Sequence, residues 1–468
     1  MTPVERFREL LSIPTVSRVD SGEVDDSAFE TFHAALERLY PLVHEQLERQ
    51  VVAGRSLLYR WTGTASDAPL VLLAHQDVVP VDGQEWRHPP FAADLVGEGP
   101  DATIHARGAI DDKGALVAIL EAVEAALAEG VTPRTDVWLA FGHDEETRGT
   151  GAQAMAALLE ERGIRPALVL DEGGAVVEGA VPGVAVPTAM IGVAERGAAT
   201  FELVTREAGG HASTPPRMPA TARLARAIDR LRRRPFPRRL VAPVRAMLAT
   251  AAAHTSEPVS TLFRRTSLSA PAVTAALSLL GPETNALVRT TAVVTRLEGS
   301  AGENVLATSA RASVNVRLLT GDTLADVAIH LRRAVADPLV DIELRHGGDP
   351  SPVSPWQGEA WRRLSRAVTD TLGADTVPLP YLQLGASDSR FYTGITDAVY
   401  INTASRRSTS RAPSAMRCTP PTSASAWTSG SAASGSIGHC SSPERVRTQL
   451  VDCPAAASRS APEPASRC

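Results

Sequence analysis

What most constrains this chain is a recurring unit: an apolar run that ends in acids or a histidine, followed by a stretch of helical period. PLVLLA (Pro69–Ala74) runs into His75 and Asp77, TDVWLAFG (Thr135–Gly142) into Asp144, Glu145 and Glu146, and ALVL (Ala167–Leu170) into Asp171 and Glu172. Between them lie KGALVAILEAVEAALAEG (Lys113–Gly130), an amphipathic helix stopped by glycine, and TGAQAMAALLEERG (Thr150–Gly163), a second helix. Buried strands joined through helices require right-handed crossovers, so the pattern predicts an α/β fold with a mainly parallel sheet. Ligands of such a sheet bind outside the carboxyl ends of its strands. The acids and the histidine are therefore expected along one rim.

A fourth segment, ARGAIDDKGALVA, sets Asp111 and Asp112 just before a helix. Taken alone, Asp-Asp before a helix reads as capping, a strand-end histidine as structural, and Glu145-Glu146 as a solvated turn. Together they form a knot of like charges that is costly unless a cation neutralises it. Nitrogen and oxygen ligands without thiolate suit zinc, cobalt or manganese. Several carboxylates around one site also allow two metals sharing a bridging carboxylate. Thiols take no part, because Cys418, Cys440, Cys453 and Cys468 are the only cysteines and all lie near the end.

From about Gly192 the pattern changes. AATFELVTRE alternates apolar and polar residues, as a half-exposed antiparallel strand does. A helix (Thr221–Arg234), the strands TTAVVTRLEG and ARASVNVRLL, a helix (Thr323–Ala336) and the strand VDIELRH follow. This βα…ββαβ order predicts a small α+β domain, residues 193–349, inserted into a catalytic domain made of 1–192 and 350–401. Inside the insertion sits a proline-marked helical segment, Pro235–Leu280. The cluster RLRRRPFPRR (Arg230–Arg239) reads as a solvated helix end rather than an anion patch, since the whole chain is acidic. Residues 402–468 are rich in Ser, Ala, Pro, Thr and Arg and show no period, which predicts disorder.

A chain of 468 residues, 44% hydrophobic and 21% charged, has material for two such domains. Its net charge of −6 argues against a nucleic-acid partner. No apolar run approaches the roughly 18–20 residues that span a bilayer, so no membrane partner is expected. MTPVERFRELLSIP has the pattern of an amphipathic helix rather than of a signal peptide, and a cytoplasmic address is the expectation. No glycine-rich phosphate loop follows the first buried strand, which sets aside a nucleotide-binding reading.

The motifs HQDVVP, RGAIDDKG, GHDEETRG, LDEGG, GGHAS, ENV with the Arg of VNVR thirteen residues after its Asn, and GASDSRFY occur in this order between Met1 and Tyr400. In this the chain resembles the aminoacylase/carboxypeptidase family of dizinc exopeptidases, which includes acetylornithine deacetylase, succinyl-diaminopimelate desuccinylase and glutamate carboxypeptidase. It is most similar to the branch of carboxypeptidase S and the N-fatty-acyl amino acid hydrolases. The resemblance implies a hydrolase for the amide bond of peptides or N-acyl amino acids, with two divalent ions, zinc by family habit. Asp111 would bridge the metals, His75 and Asp171 would complete one site, and Glu146 would serve the other. Glu145 would be the general base, and Asp77 would orient His75. His211 would support the oxyanion from a partner subunit's lid, Arg317 would grip the substrate carboxylate, and Asn304 and Gly385 would touch substrate. A homodimer through the inserted domain and a cis Asp111–Asp112 peptide are implied as well.

The chain departs from the family at one place. The last metal ligand there is a histidine in a stretch like His-x-x-Asp-Glu-Arg-Ile-Ser, and the only later histidine here, His439 in SIGHCSSPE, does not match. The degenerate codons of Met416–Thr428, read from the third base, permit Ala-Leu-His-Ala-Thr-Asp-Glu-Arg-Ile-Ser-Val-Asp. A frameshift near Tyr400 would explain this; a natural disordered extension is the alternative. Two functional readings follow: an amidohydrolase, weakly active in this chain, or a binding protein that keeps the fold without turnover.

Overall fold

The computed structural model describes residues 1–402 apart from 100, 101, 180 and 182, together with the segments 405–408, 416–418 and 448–450. At its centre lies a mixed sheet whose middle is parallel. The Ala65–His75 strand runs parallel to Thr135–Gly142 on one side and to Leu168–Asp171 on the other. Val399–Ile401 continues the parallel run beyond Leu168–Asp171. The antiparallel strands Ser56–Trp61 and Glu48–Val52 finish one edge. The other side carries Thr188–Glu195, with Val377–Gln383 parallel to it and Ala175–Glu178 antiparallel. The largely parallel α/β sheet expected from the sequence is present.

Alternation along the strands explains why both faces are buried. In the Ala65–His75 strand, Leu70, Leu72 and Ala74 face a core built with the helices Asp26–Leu39 and Lys113–Ala128. Val71 and Leu73 point the other way, onto Ala152, Met155 and Leu159 of the helix Thr150–Glu161. The helix Lys113–Ala128 forms because Leu116, Leu120, Val123 and Leu127 recur at its period, and all are buried. It ends at Gly130, whose φ of 72° suits the left-handed turn that follows. At the N-terminus, Thr2 and Glu5 form a reciprocal capping box for the helix Pro3–Leu11.

The chain leaves this sheet between Glu195 and Gly197 and builds a second, antiparallel sheet. Its order is Thr291–Glu298, Ser309–Leu318, Gly197–Arg206, Val340–Gly348. Ala310, Ala312, Val314, Val316 and Leu318 are all inaccessible to solvent and pack with Leu224 and Leu331 of the helices Ala220–Arg233 and Leu324–Val335. The alternation that marks one-sided burial in the sequence is therefore real.

The proline-marked segment is helical, with helices at Ala242–Ala251, Val259–Arg264 and Thr266–Leu280. Phe236 at its start joins the core of the antiparallel domain, but its helices pack elsewhere. Val244 and Leu248 instead share a core with Leu379 and Leu382 of the central sheet. Sequence insertion fixes where a segment begins and ends, not which apolar surface it covers. No helix among the described residues is long and apolar enough to cross a membrane. The expectation of disorder after residue 402 falls mostly outside the described residues, as does His439; the segments 405–408, 416–418 and 448–450 pair as strands beyond Ala175–Glu178.

Candidate metal centre

The parallel register sets the strand ends level: His75 pairs with Gly142, and Leu72 with Leu170. His75 thus stands beside the turn that carries Glu145 and Glu146, one strand away from Asp171. His75 Nε2 lies 2.9 Å from Asp111 Oδ1 and 4.0 Å from Glu145 Oε2. Donor atoms of His75, Asp111 and Glu172 all fall within 4.8 Å of one another. The Asp111–Asp112 peptide is cis.

Asp77 is fully buried and connects two parts of the site. Its Oδ1 lies 3.2 Å from His75 Nδ1, and its two oxygens accept the backbone N–H groups of Glu145 and Glu146, each at 3.2 Å. One carboxylate therefore fixes both the imidazole and the acidic turn. That turn is held from below by Asp144, which accepts from Thr150 N and Oγ1 and from Gly151 N.

Asp112 does not cap the helix that it precedes. Its Oδ2 accepts the His75 N–H at 3.2 Å, while its Oδ1 is buried with no hydrogen-bond partner among the described residues. Local sequence suggested a cap; tertiary contact with the neighbouring strand draws the side chain the other way. Asp171 is buried too, and accepts from Glu172 N at 2.9 Å and Ser389 N at 2.7 Å. Its neighbour Glu172 is the acid that joins His75 and Asp111. Glu172 was visible in sequence as the second acid of LDEGG, but nothing local said which of two adjacent acids turns toward the histidine.

Sequence reasoning missed two further carboxyls, both of which depend on distant segments. Asp388 is buried, and neither of its oxygens has a hydrogen-bond partner among the described residues. It lies so close to the acidic turn that a Cβ on Gly149 would come within 2.5 Å of Asp388 Oδ1. Glu195 Oε1 accepts from Ser387 N, Ser387 Oγ and Ser389 Oγ. The run of serines around Asp388 was the one signal available.

Electrostatics follow from this crowding. Burial, then the charges of His75, Asp388 and Asp111, act on Glu145 and leave its pKa pushed up to about 9. Burial and Asp111 raise Glu146 to about 7. Burial, followed by Asp112 and Asp111, lifts Glu172 well above the carboxylate range. Burial opposes the His75 imidazolium, yet its bonds to Asp111 and Asp77 hold it well above its ordinary value. Asp111 is lowered: burial opposes its charge, but His75 outweighs that. Among the described residues the His75 ring, between Asp111 and Asp77, thus stands where positive charge is favoured, a place that a divalent cation fits. The orphaned Asp112 Oδ1 and the hard oxygen-and-imidazole donor set point the same way.

The substrate-side residues are more dispersed. His211 and Asn304 are brought together, since Gly210–His211 pairs with Val305–Leu306 and Ala212 N donates to Asn304 O. Both are exposed, with His211 Nδ1 against Ser213 Oγ at 2.8 Å. Arg317 is half-buried on the antiparallel sheet, and its carbonyl accepts from Arg196. Gly385 is exposed on the loop before Ser387. Among the described residues none of the four bonds to the His75–Asp111–Glu172 group.

A largely parallel α/β sheet thus gathers imidazole and carboxylates at its rim, beside an inserted α+β domain. Peptidase family M20/M25/M40 matches over residues 71–415. The N-fatty-acyl-amino acid synthase/hydrolase PM20D1 of Xenopus tropicalis is 32% identical over 403 residues, covering 85% of this chain and 77% of that protein. A probable carboxypeptidase S-like 2 of Dictyostelium discoideum is 33% identical over 404 residues, covering 85% and 76%. In fold, the chain is similar to the M20 family metallo-carboxypeptidase Sso-CP2 of Sulfolobus solfataricus, with a TM-score of 0.59 at 18% identity, covering 86% of this chain and 91% of that one. The chain belongs to Peptidase family M20/M25/M40, a family of metallopeptidases and amidohydrolases.

Proposed function

We propose that this chain hydrolyses the amide bond of a peptide or N-acyl amino acid that carries a free carboxylate, with Glu145 as general base. The observation that carries this reading is Glu145 itself, a carboxyl only 13% exposed and 4.0 Å from His75 Nε2, at the edge of the only His/Asp/Glu group able to hold a metal among the described residues. The relatives named for carboxypeptidase and N-acyl amino acid hydrolysis favour the substrate class.

Two divalent ions, zinc with cobalt or manganese as substitutes, would be held by His75, Asp111, Glu146 and Asp171, with Glu172 at the same strand end. When bound, they lower the pKa of a water towards ~7 and polarise the scissile carbonyl. The positive charge of bound ions would oppose the burial and crowding that raise Glu145, returning it to a carboxylate. As such it takes the proton of the attacking water and delivers it to the departing amine as the C–N bond breaks. Asp77 keeps His75 and the Glu145–Glu146 turn in register for that transfer. Arg317 binds the substrate carboxylate through its guanidinium fork, and His211, from a partner subunit, donates to the oxyanion. Asn304 and Gly385 contact substrate. The homodimer forms through the inserted domain, whose edge strand Thr291–Glu298 leaves Val293 and Leu297 59% and 64% exposed.

A change of reading frame near Tyr400 rests on the sequence itself, where the codons of Met416–Thr428 permit the family's His-x-x-Asp-Glu-Arg-Ile-Ser stretch in another frame. A hydrolysis screen over N-acyl amino acids and dipeptides, with zinc or cobalt added, tests the enzyme reading on this chain and on one with the frame restored. We expect free amine from the restored chain and little from this one. No turnover by the restored chain overturns the enzyme reading. Equal turnover, or two tightly bound zinc ions in this chain, overturns the expectation of weak activity in this chain; resequencing the coding region tests the frameshift itself.

A further inference from the structure

Away from the acidic rim the molecule carries a cationic cleft of about 820 Å³, bounded by the segment after the helix Ala220–Arg233 and by the helix Thr266–Leu280. Arg238, Arg239, Arg245 and Arg289 line it. The earlier arginines of the cluster behave as a helix end: Arg230 donates to Val335 O, and Arg233 pairs with Asp229. The later ones do something else.

Arg239 is neutralised by Asp322 at 2.7 Å. Arg245 is anchored by neutral groups, its Nε donating to Leu240 O at 3.1 Å and its Nη1 to Thr266 O at 3.3 Å, which leaves its charge unbalanced. Arg238 and Arg289 form no ion pair among the described residues, and Arg289 Nε is buried without a hydrogen-bond partner. Burial, then the charge of Arg238, pulls the pKa of Arg289 down. A chain of net charge −6 thus gathers three guanidinium groups in one cleft without an ion pair among the described residues. Charges of one sign at that density repel one another, and a guanidinium fork matches phosphate oxygens in both charge and geometry.

The walls are stiff. Phe236 stacks on His330 with centroids 3.8 Å apart, and Pro271 sits inside the facing helix. Walls ordered in advance reduce the entropy that a ligand must overcome.

We propose that this cleft binds a phosphate-bearing small molecule of at least two negative charges, held by Arg238, Arg245 and Arg289 and separate from the acidic rim. The confinement of these arginines to one cleft and the acidic remainder of the chain favour a small ligand over nucleic acid, which needs an extended basic surface.

Inorganic pyrophosphate is the probe, titrated calorimetrically into the full chain at constant ionic strength and again after chelation of bound metal. The expected result is one saturable site per chain with Kd below roughly 1 mM, unchanged by chelation. The double variant R238Q/R289Q should weaken binding at least tenfold, and Arg265→Gln, an exposed arginine outside the cleft, should leave it unaltered. If circular dichroism shows the double variant unfolded, Arg245→Gln alone supplies the comparison. Binding that vanishes on chelation belongs to the metal centre and overturns the proposal. So does the absence of saturable heat, or undiminished binding by the cleft variants.

Discussion

Glu145 and Asp77 divide one task between two carboxyls. Asp77 carries hydrogen bonds to His75 and the acidic turn, whereas the Glu145 carboxyl stands at 4.0 Å from His75 Nε2, free to exchange a proton. Glu145→Gln keeps the size and loses the base, so kcat should fall by about 10²–10⁴-fold in the frame-restored chain. Metal content by mass spectrometry should stay the same; loss of metal in that variant would make Glu145 a ligand instead. Glu195 allows a test by pH. Burial raises it from 4.5 to about 7, so between those values the folded chain holds a proton that the unfolded chain releases. Its contribution is full below pH 4.5 and is lost as pH rises through 7. Glu195→Gln mimics the protonated form and should match the parent near pH 4, then exceed it by up to about 3 kcal/mol above pH 7. Urea midpoints measured across that range in chelator check this, and a constant difference at every pH would refute it.

Among the elements, the helix Lys113–Ala128 couples core to site. Its first turn follows the Asp111–Asp112 pair, and Lys113 Nζ donates to Leu10 O and Ile13 O, tying it to the end of the N-terminal helix. Leu120, midway along it, is fully buried in the main core. Leu120→Ala should cost about 2–5 kcal/mol, the usual range for a buried leucine that leaves a cavity. Chemical denaturation measures it, and a loss below about 1 kcal/mol would mean that the helix is loosely packed. The periodicity of this helix and of the strands on either side was readable in the sequence because one apolar stripe or alternation suffices to define each. The packing of the helices in 235–280 was not, since their apolar residues suit either neighbouring core.

At the scale of the molecule, a rim crowded with carboxyls should make folding depend on cations. A metal that binds only the folded chain stabilises it by mass action, by about 2.7 kcal/mol at a hundredfold excess over Kd. Chelation should therefore lower Tm, and zinc or cobalt should restore it; a Tm indifferent to both would argue that the rim holds no metal. The sequence by itself determined that the histidine and acids line one edge, because strands that end level in a parallel sheet carry whatever follows them to the same rim. It also determined the two-sheet plan, since alternation and continuous apolar runs demand different burial. Only the tertiary structure decided which of Asp171 and Glu172 turns to His75. Asp171 meanwhile accepts the N–H of Ser389, more than two hundred residues downstream. The same holds for Asp112 and Glu195: each side chain answers to a partner distant along the chain, and short-range periodicity carries no record of it.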